Sequence, residues 1–409
     1  MGEATSKQIK VLVVDDSALM RNLVSRIIEA EPDLTVAGKA MNGQFALDKI
    51  VRLDPDAIVL DLEMPEMNGI EFLKARQDHG IKVPVIILSS IAKKGAEVTM
   101  EALSLGASDF IMKPSGSVSE DIHTVGGHLV ELLRGVGAAY RKERNLPVME
   151  PPKEPLIAPE EQRPEPTGRG EAPASKEAPK PADESSRRAA SVEIPGAEVP
   201  RKQPPAAPTL SPPRKITPKK KPGKIEVVAI GISTGGPNAL RRLFAEIDKD
   251  LGVPVVVVQH MPAGFTTEFA KSLDRICPLE VREAGDGDLL KPNRVLIAPG
   301  NHHIMVERKS LAVVARILDT SPVNGHRPSA DVLFESIARE YGNGALAVIM
   351  TGMGRDGARR IGDIYEAGGM TLAQNEKSSV VYGMPRVASE YGYIHRQVDI
   401  AEMAATISK

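Results

Sequence analysis

Between residues 147 and 224 the chain carries 19 of its 33 prolines and no aromatic side chain, mixed with Glu, Lys, Ala and Ser. Such a stretch holds too little apolar surface to offset the entropy of ordering it, so no single core can run through it. It divides the 409 residues into an N-terminal domain at 1–145, a Pro-rich disordered linker at 146–224 and a C-terminal domain at 225–409. As a flexible coil the linker spans about 50 Å root-mean-square, and its prolines extend it further. The six basic residues within 214–224 read as part of this solvated tether.

Charge and cysteine usage narrow the setting. With 52 Lys and Arg against 54 Asp and Glu, the balance gives no electrostatic reason to expect nucleic acid or an anionic membrane surface as a partner. Cys277 is the one cysteine, which excludes an internal disulfide and points to a reducing, cytoplasmic location. No apolar run approaches the roughly 18 residues that span a bilayer, so membrane insertion is not expected. The start Met1-Gly2-Glu3-Ala4-Thr5-Ser6 fits a short, permissive myristoylation pattern and is set aside.

From 10 to 134, short apolar runs at 10–14, 34–39, 57–60, 85–88 and 109–112 alternate with amphipathic stretches, which is the pattern of a doubly wound, mostly parallel sheet. Leu19, Leu23, Ile27 and Ile28 are expected as the buried face of the first helix, with Ala102, Leu103 and Leu105 in a later one. Such sheets bind ligands beyond the carboxyl ends of their strands. Asp15 and Asp16 follow the first strand, Asp61 ends the third, Ser89 ends the fourth and Lys113-Pro114 follows the fifth. Three clustered carboxylates repel unless a hard divalent cation joins them, so a Mg²⁺-dependent phosphoryl acceptor fits. Asp61 is then the nucleophile toward phosphorus, Asp16 and Asp15 serve the metal, and Lys113 and Ser89 hold phosphoryl oxygens. The plainer reading, in which Asp15 and Asp16 cap a helix and Lys113 is a surface charge, requires the ordered set to be coincidence.

The segments Val-Val-Asp15-Asp16-Ser, Asp61-Leu62-Glu63-Met64-Pro65, Ser89-Ser90 and Lys113-Pro114 resemble the flavodoxin-like receiver domain of two-component response regulators over about 120 residues. The resemblance implies phosphorylation of Asp61, a metal contact from the Glu63 carbonyl, an aromatic switch at Phe110 and a histidine kinase as phosphodonor.

From 225 the alternation resumes, with apolar runs at 227–230, 253–258, 294–298 and 345–350, and a second α/β domain is expected. Gly231-Ile232-Ser233-Thr234-Gly235-Gly236-Pro237 forms a strand–turn–helix elbow that suits either a serine nucleophile or a glycine-rich nucleotide loop. The second option leaves a non-enzymatic response regulator with a nucleotide-binding C-terminal domain. His260 follows the next strand at the same rim and is the base candidate ahead of His302, His303 and His326. Thr351-Gly352-Met353-Gly354-Arg355-Asp356-Gly357 follows a later strand and supplies Asp356 to orient an imidazole. The order Ser, His, Asp differs from that of the α/β-hydrolases. Neither a helix-turn-helix unit nor a dense basic face supports DNA binding. Asp331 reads as a helix cap before the apolar face of Val332, Leu333, Phe334 and Ile337, outside the triad.

Gly231 to Pro237, Gln259-His260-Met261, Arg327-Pro328-Ser329-Ala330-Asp331 and the Thr351 to Gly357 run together resemble the Rossmann-like serine-hydrolase domain of CheB-type protein-glutamate methylesterases, over about 185 residues. That resemblance implies Ser233 as nucleophile, His260 as general base and acid, Asp356 as orienter, the Met353 amide as oxyanion donor and Thr234 as support. It implies methyl-accepting chemoreceptors as substrates, possible receptor glutamine deamidation, and no metal or cofactor in this domain. A phosphorylated receiver is expected to relieve obstruction of the Ser233 cleft, weakly across so long a tether.

Overall fold

The computed structural model describes residues 7–90, 93–113, 119–149 and 221–409. The expected linker lies outside these residues except at its two margins. There the Leu146 amide donates to Arg141 O at 2.9 Å and the Met149 amide to Lys7 O at 3.0 Å, while the Gly223 amide donates to Asn343 O at 2.9 Å. The described residues therefore run four positions into each side of the expected 146–224 segment.

The first domain is β1 (Ile9–Val14), α1 (Ala18–Glu29), β2 (Leu34–Ala40), α2 (Gly43–Leu53), β3 (Ala57–Asp61), α3 (Gly69–Asp78), β4 (Val85–Ser89), α4 (Lys93–Ser104), β5 (Asp109–Met112) and α5 (Ser119–Glu143). The strands pair in parallel in the order β2-β1-β3-β4-β5. Their near-continuous apolar sequence follows from burial on both faces. Leu12, Ile58, Leu60 and Ile87 enter one core, and Val11, Val13, Val59 and Ile86 the opposite one with Ile28, Leu129 and Leu133. Both faces are thus covered by helices.

One expectation about α1 is corrected. Leu19 is 76% exposed, and the buried residues are Val24, Ser25 and Ile28, so the inward stripe is rotated from the expected face. Ser17 caps this helix by accepting from the Met20 amide, which frees Asp15 and Asp16 from that duty.

The second domain contains β6 (Val227–Ile232), α6 (Gly236–Ala245), β7 (Val255–Gln259), α7 (Phe265–Asp274), β8 (Glu280–Glu283), β9 (Arg294–Ile297), β10 (His303–Arg308) and β11 (Val313–Leu318). It continues with α8 (Ala330–Tyr341), β12 (Ala345–Ile349), α9 (Ile361–Glu366), β13 (Met370–Gln374), α10 (Met384–Glu390), β14 (Arg396–Val398) and α11 (Ile400–Ile407). Seven parallel strands run β14-β13-β12-β6-β7-β9-β8, and β10 and β11 form a separate antiparallel pair. The pattern missed β8, β10, β11, β13 and β14, which are short or interleave charged side chains, as in Glu280-Val281-Arg282-Glu283. Strand order reverses beside β1 in the first sheet and beside β6 in the second, and there the polar strand ends gather.

The two domains pack directly on each other. Phe110 of β5 stacks on Phe265 of α7 with ring centroids 5.1 Å apart and planes 8° from parallel. Asn238 Nδ2 on α6 donates to the Ala107 and Ser108 carbonyls at 2.7 and 2.9 Å. A Cβ on Gly135 of α5 would stand 2.2 Å from Val380 O, so glycine sets how closely that helix approaches the second domain.

Candidate active site

β6, β7 and β12 end at one rim, and their loops bring Ser233, His260 and Asp356 together. Gly235 has φ +77°, a backbone that side-chain-bearing residues rarely adopt, and it turns the chain from β6 into α6. Gly352 allows the β12 loop to lie against Ser233, since a Cβ there would be 2.8 Å from the Ser233 Cβ.

Ser233 Oγ lies 3.0 Å from His260 Nδ1, and His260 Nε2 lies 2.8 Å from Asp356 Oδ2. An ionised carboxylate only accepts, so Nε2 carries the proton and Nδ1 accepts from the serine hydroxyl. Asp356 is 1% exposed and also accepts from Ser329 Oγ at 2.6 Å, the Ala330 amide at 2.6 Å and Asn324 Nδ2 at 2.9 Å. Burial alone would raise its pKa, but the bond and charge of His260, with the Ser329 and Asn324 donors, hold it well below the carboxylate range. Such a group is poised to orient an imidazole and to stabilise the imidazolium form.

The loop is unsuited to a phosphate. Three of its amides are already used: Ser233 N donates to Thr351 O at 3.0 Å, Gly236 N to Ser233 O at 2.8 Å and Gly235 N to the carboxylate of Asp109 at 2.6 Å. Thr234 is buried, with its hydroxyl 3.1 Å from His128 Nε2 of α5 and its carbonyl accepting from Thr351 Oγ1 at 2.9 Å. Met353 follows Gly352 and is 40% exposed.

Of the other histidines, His303 is occupied by the Ser329 amide at 3.2 Å and Ser321 O at 3.1 Å, and His302 lies 3.3 Å from Gly300 O. His326 stacks on His260, with centroids 3.9 Å apart and planes 11° from parallel. Asp331 is not the cap of α8: Ser329 accepts the Asp331 amide, while the Asp331 carboxylate accepts from Arg360 N at 3.1 Å and Asn324 Nδ2 at 2.7 Å. The contributions of Asn324, Ser329 and the Ala330 amide were missed in the sequence, although the Asn324-Gly325 turn signal and the Arg327 to Asp331 run pointed to this segment.

At the other rim, carboxylate oxygens of Asp15, Asp16 and Asp61 all lie within 4.8 Å of one another. Lys113 Nζ is 2.6 Å from Asp61 Oδ2 and 3.2 Å from Asp15 Oδ2. Burial raises the Asp61 pKa to about 6, opposed by Lys113 and reinforced by the charge of Asp15. Crowded, partly buried acids with one cation are the donor set a hard divalent ion fits. Ser89 differs from its expected orientation: its hydroxyl lies 2.6 Å from Thr99 Oγ1, and it meets Lys113 through its carbonyl, which accepts the Lys113 amide at 2.8 Å. The Glu63 amide donates to Asp61 Oδ1 at 3.2 Å, and Phe110 is 8% exposed under Phe265.

The family model described as CheB methylesterase matches residues 228–407, and that of the response regulator receiver domain matches 11–123. A relative from Treponema denticola, named protein-glutamate methylesterase/protein-glutamine glutaminase, is 52% identical over 98% of each chain. The chain belongs to the CheB methylesterase family. A second relative of that name, from Treponema pallidum, is 50% identical over 99% of this chain and 97% of its own. The solved catalytic domain of the CheB methylesterase of Thermotoga maritima is 35% identical, covering 46% of this chain and 98% of its own at a TM-score of 0.44. No described helix is long and apolar enough to cross a membrane.

Proposed function

We propose that the chain hydrolyses glutamate methyl esters on methyl-accepting chemoreceptors, releasing methanol, and deamidates receptor glutamines by the same route. The observation carrying this reading is the continuous Ser233–His260–Asp356 hydrogen-bonded chain. His260 Nδ1 takes the serine proton as Ser233 Oγ bonds to the ester carbon. The negative carbonyl oxygen faces the Met353 amide, with Thr234 supporting the loop. When the tetrahedral species collapses, the bond to methoxide breaks and His260 returns the proton, giving methanol. Water, deprotonated by His260, then cleaves the acyl-serine to glutamate; from glutamine the first leaving group is ammonia.

Control comes from the receiver. Asp61 accepts the phosphoryl group from a chemotaxis histidine kinase, while Lys113 and, after reorientation, Ser89 hold its oxygens. Asp15, Asp16, Asp61 and the Glu63 carbonyl would hold Mg²⁺, which would neutralise the acidic cluster. Lys113 follows the strand that carries Asp109 and Phe110; Asp109 accepts from the Gly235 amide of the Ser233 loop and Phe110 stacks on Phe265 of α7, so a change at Asp61 reaches the catalytic rim through β5. Docking by direct hydrogen bonds favours stronger obstruction than the linker length implied.

Methanol release from a methylated receptor cytoplasmic fragment tests the reading. Wild type releases methanol and Ser233→Ala does not; equal release by both proteins overturns the assignment of the nucleophile.

A further inference from the structure

The two hydrogen bonds of His260 fix its nitrogens but leave its ring free to tilt about the axis through them. What sets the plane lies on a different loop. Val323 and His326 exchange backbone hydrogen bonds, N to O, at 3.0 and 2.9 Å, closing a two-residue turn. Its central residues, Asn324 and Gly325, have φ of +52° and +78°. Both lie in the left-handed region, the geometry that Asn-Gly satisfies.

We propose that this turn is the positioning device of the catalytic pair, with His326 holding the His260 ring plane and Asn324 holding the Asp356 carboxylate. The proposal rests on the reading of Ser233, His260 and Asp356 as the catalytic groups. His326 covers one face of the His260 ring at 3.9 Å. Asn324 Nδ2 donates to Asp356 Oδ1 at 2.9 Å and to Asp331 Oδ2 at 2.7 Å, so one amide keeps two buried acids at fixed separation. Burial, with the neighbouring charge of Asp356, raises the Asp331 pKa, the expected cost of two acids meeting.

The charge state of His326 fits the same role. Burial, aided by the charge of His260 and that of His128 but opposed by Asp356, lowers its pKa to about 4. An uncharged ring therefore faces His260 when it becomes imidazolium during turnover. Ser233 and Asp356 meet His260 edge-on, and His128 faces the same cluster from α5.

The test uses the full chain and the methylated receptor fragment, with kcat and KM measured across pH for His326→Ala, His326→Phe, Asn324→Gly and Ser233→Ala. Glycine at 324 keeps the left-handed backbone while deleting the amide, and phenylalanine at 326 keeps a flat neutral ring; thermal unfolding verifies that each variant folds. His326→Ala lowers kcat by about 10- to 100-fold with KM changed less than about twofold, and His326→Phe recovers to within about threefold of wild type. Asn324→Gly lowers kcat about tenfold and moves the acid limb of kcat/KM to higher pH, because Asp356 directs more of its charge at the imidazole. If the folded alanine and glycine variants match wild type while Ser233→Ala is inactive, the turn has no positioning role and the triad stands. If His326→Phe is as impaired as His326→Ala, stacking is not the basis. Activity in Ser233→Ala overturns the reading beneath the proposal.

Discussion

The two polar rims of this protein sit at equivalent places on two parallel sheets and are finished to different degrees. Asp356 takes four hydrogen bonds from within its own domain, including that of His260. The receiver rim gathers Asp15, Asp16 and Asp61 around Lys113, leaving more negative than positive charge. Burial lowers neither acid's pKa by itself, so the difference lies in the donors: Asp356 is driven well down, whereas Asp61 is raised to about 6. A complete shell suits a site that must be ready before substrate arrives. An incomplete one suits a site whose state is to be changed by what binds.

The largest effect that sharpens this contrast is at the finished rim. Asp356→Asn should lower kcat for methanol release by about 10⁴-fold with little change in folding, because the amide leaves Nε2 without its anionic partner. A loss below about tenfold would break the claim of a dependent triad.

At the unfinished rim, Asp61→Asn should leave unstimulated activity within about twofold and abolish the response to a small phosphodonor with Mg²⁺. Retained stimulation would move the phosphorylated group elsewhere.

The link between the rims is tested next by Gly135→Ala. Alanine stabilises the α5 helix by up to about 1 kcal/mol but places its Cβ against Val380 O, so the receiver stays folded while docking weakens. Unstimulated activity should rise about tenfold, equivalent to about 1.4 kcal/mol against docking. Unchanged activity would mean that the docked face does not obstruct the cleft.

The smallest effect concerns pH. Burial raises the Asp109 pKa to about 7, opposed by the Gly235 and Phe110 amides that donate to it. A carboxyl with a higher pKa when docked than when exposed makes docking take up a proton. That contribution is fully present at low pH and is lost as pH rises through about 7. His128, lowered by burial and His260, acts in the opposite sense as pH falls below its ordinary range. Unstimulated activity should therefore rise a few-fold between about pH 6 and pH 8, beyond the change in phosphorylated protein, and Asp109→Asn should flatten that excess.

Much of this was legible without coordinates. The strands of the first sheet and the central strands of the second read as apolar runs, and Asp15, Asp16, Asp61, Lys113, Ser233, His260 and Asp356 were placed by standing at or just beyond strand ends. Leu19 was misplaced because apolarity on a helix does not say which of two adjoining stripes faces the sheet, and Val24 with Ile28 won the core. Asp331 was misplaced because a carboxylate near a helix start resembles a cap, whereas Ser329 was nearer and the Asp331 group was needed by Arg360 N.

The amino-acid sequence by itself determined two α/β domains and the chemistry at their strand ends, since hydrophobic periodicity and turn residues act over a few neighbouring positions. Only the tertiary structure decided that Asp109 meets the Gly235 amide, that His326 lies over His260 and that Asn324 joins two acids. Those contacts join side chains from separate elements, and their geometry follows from how whole sheets and helices pack, which no local pattern encodes.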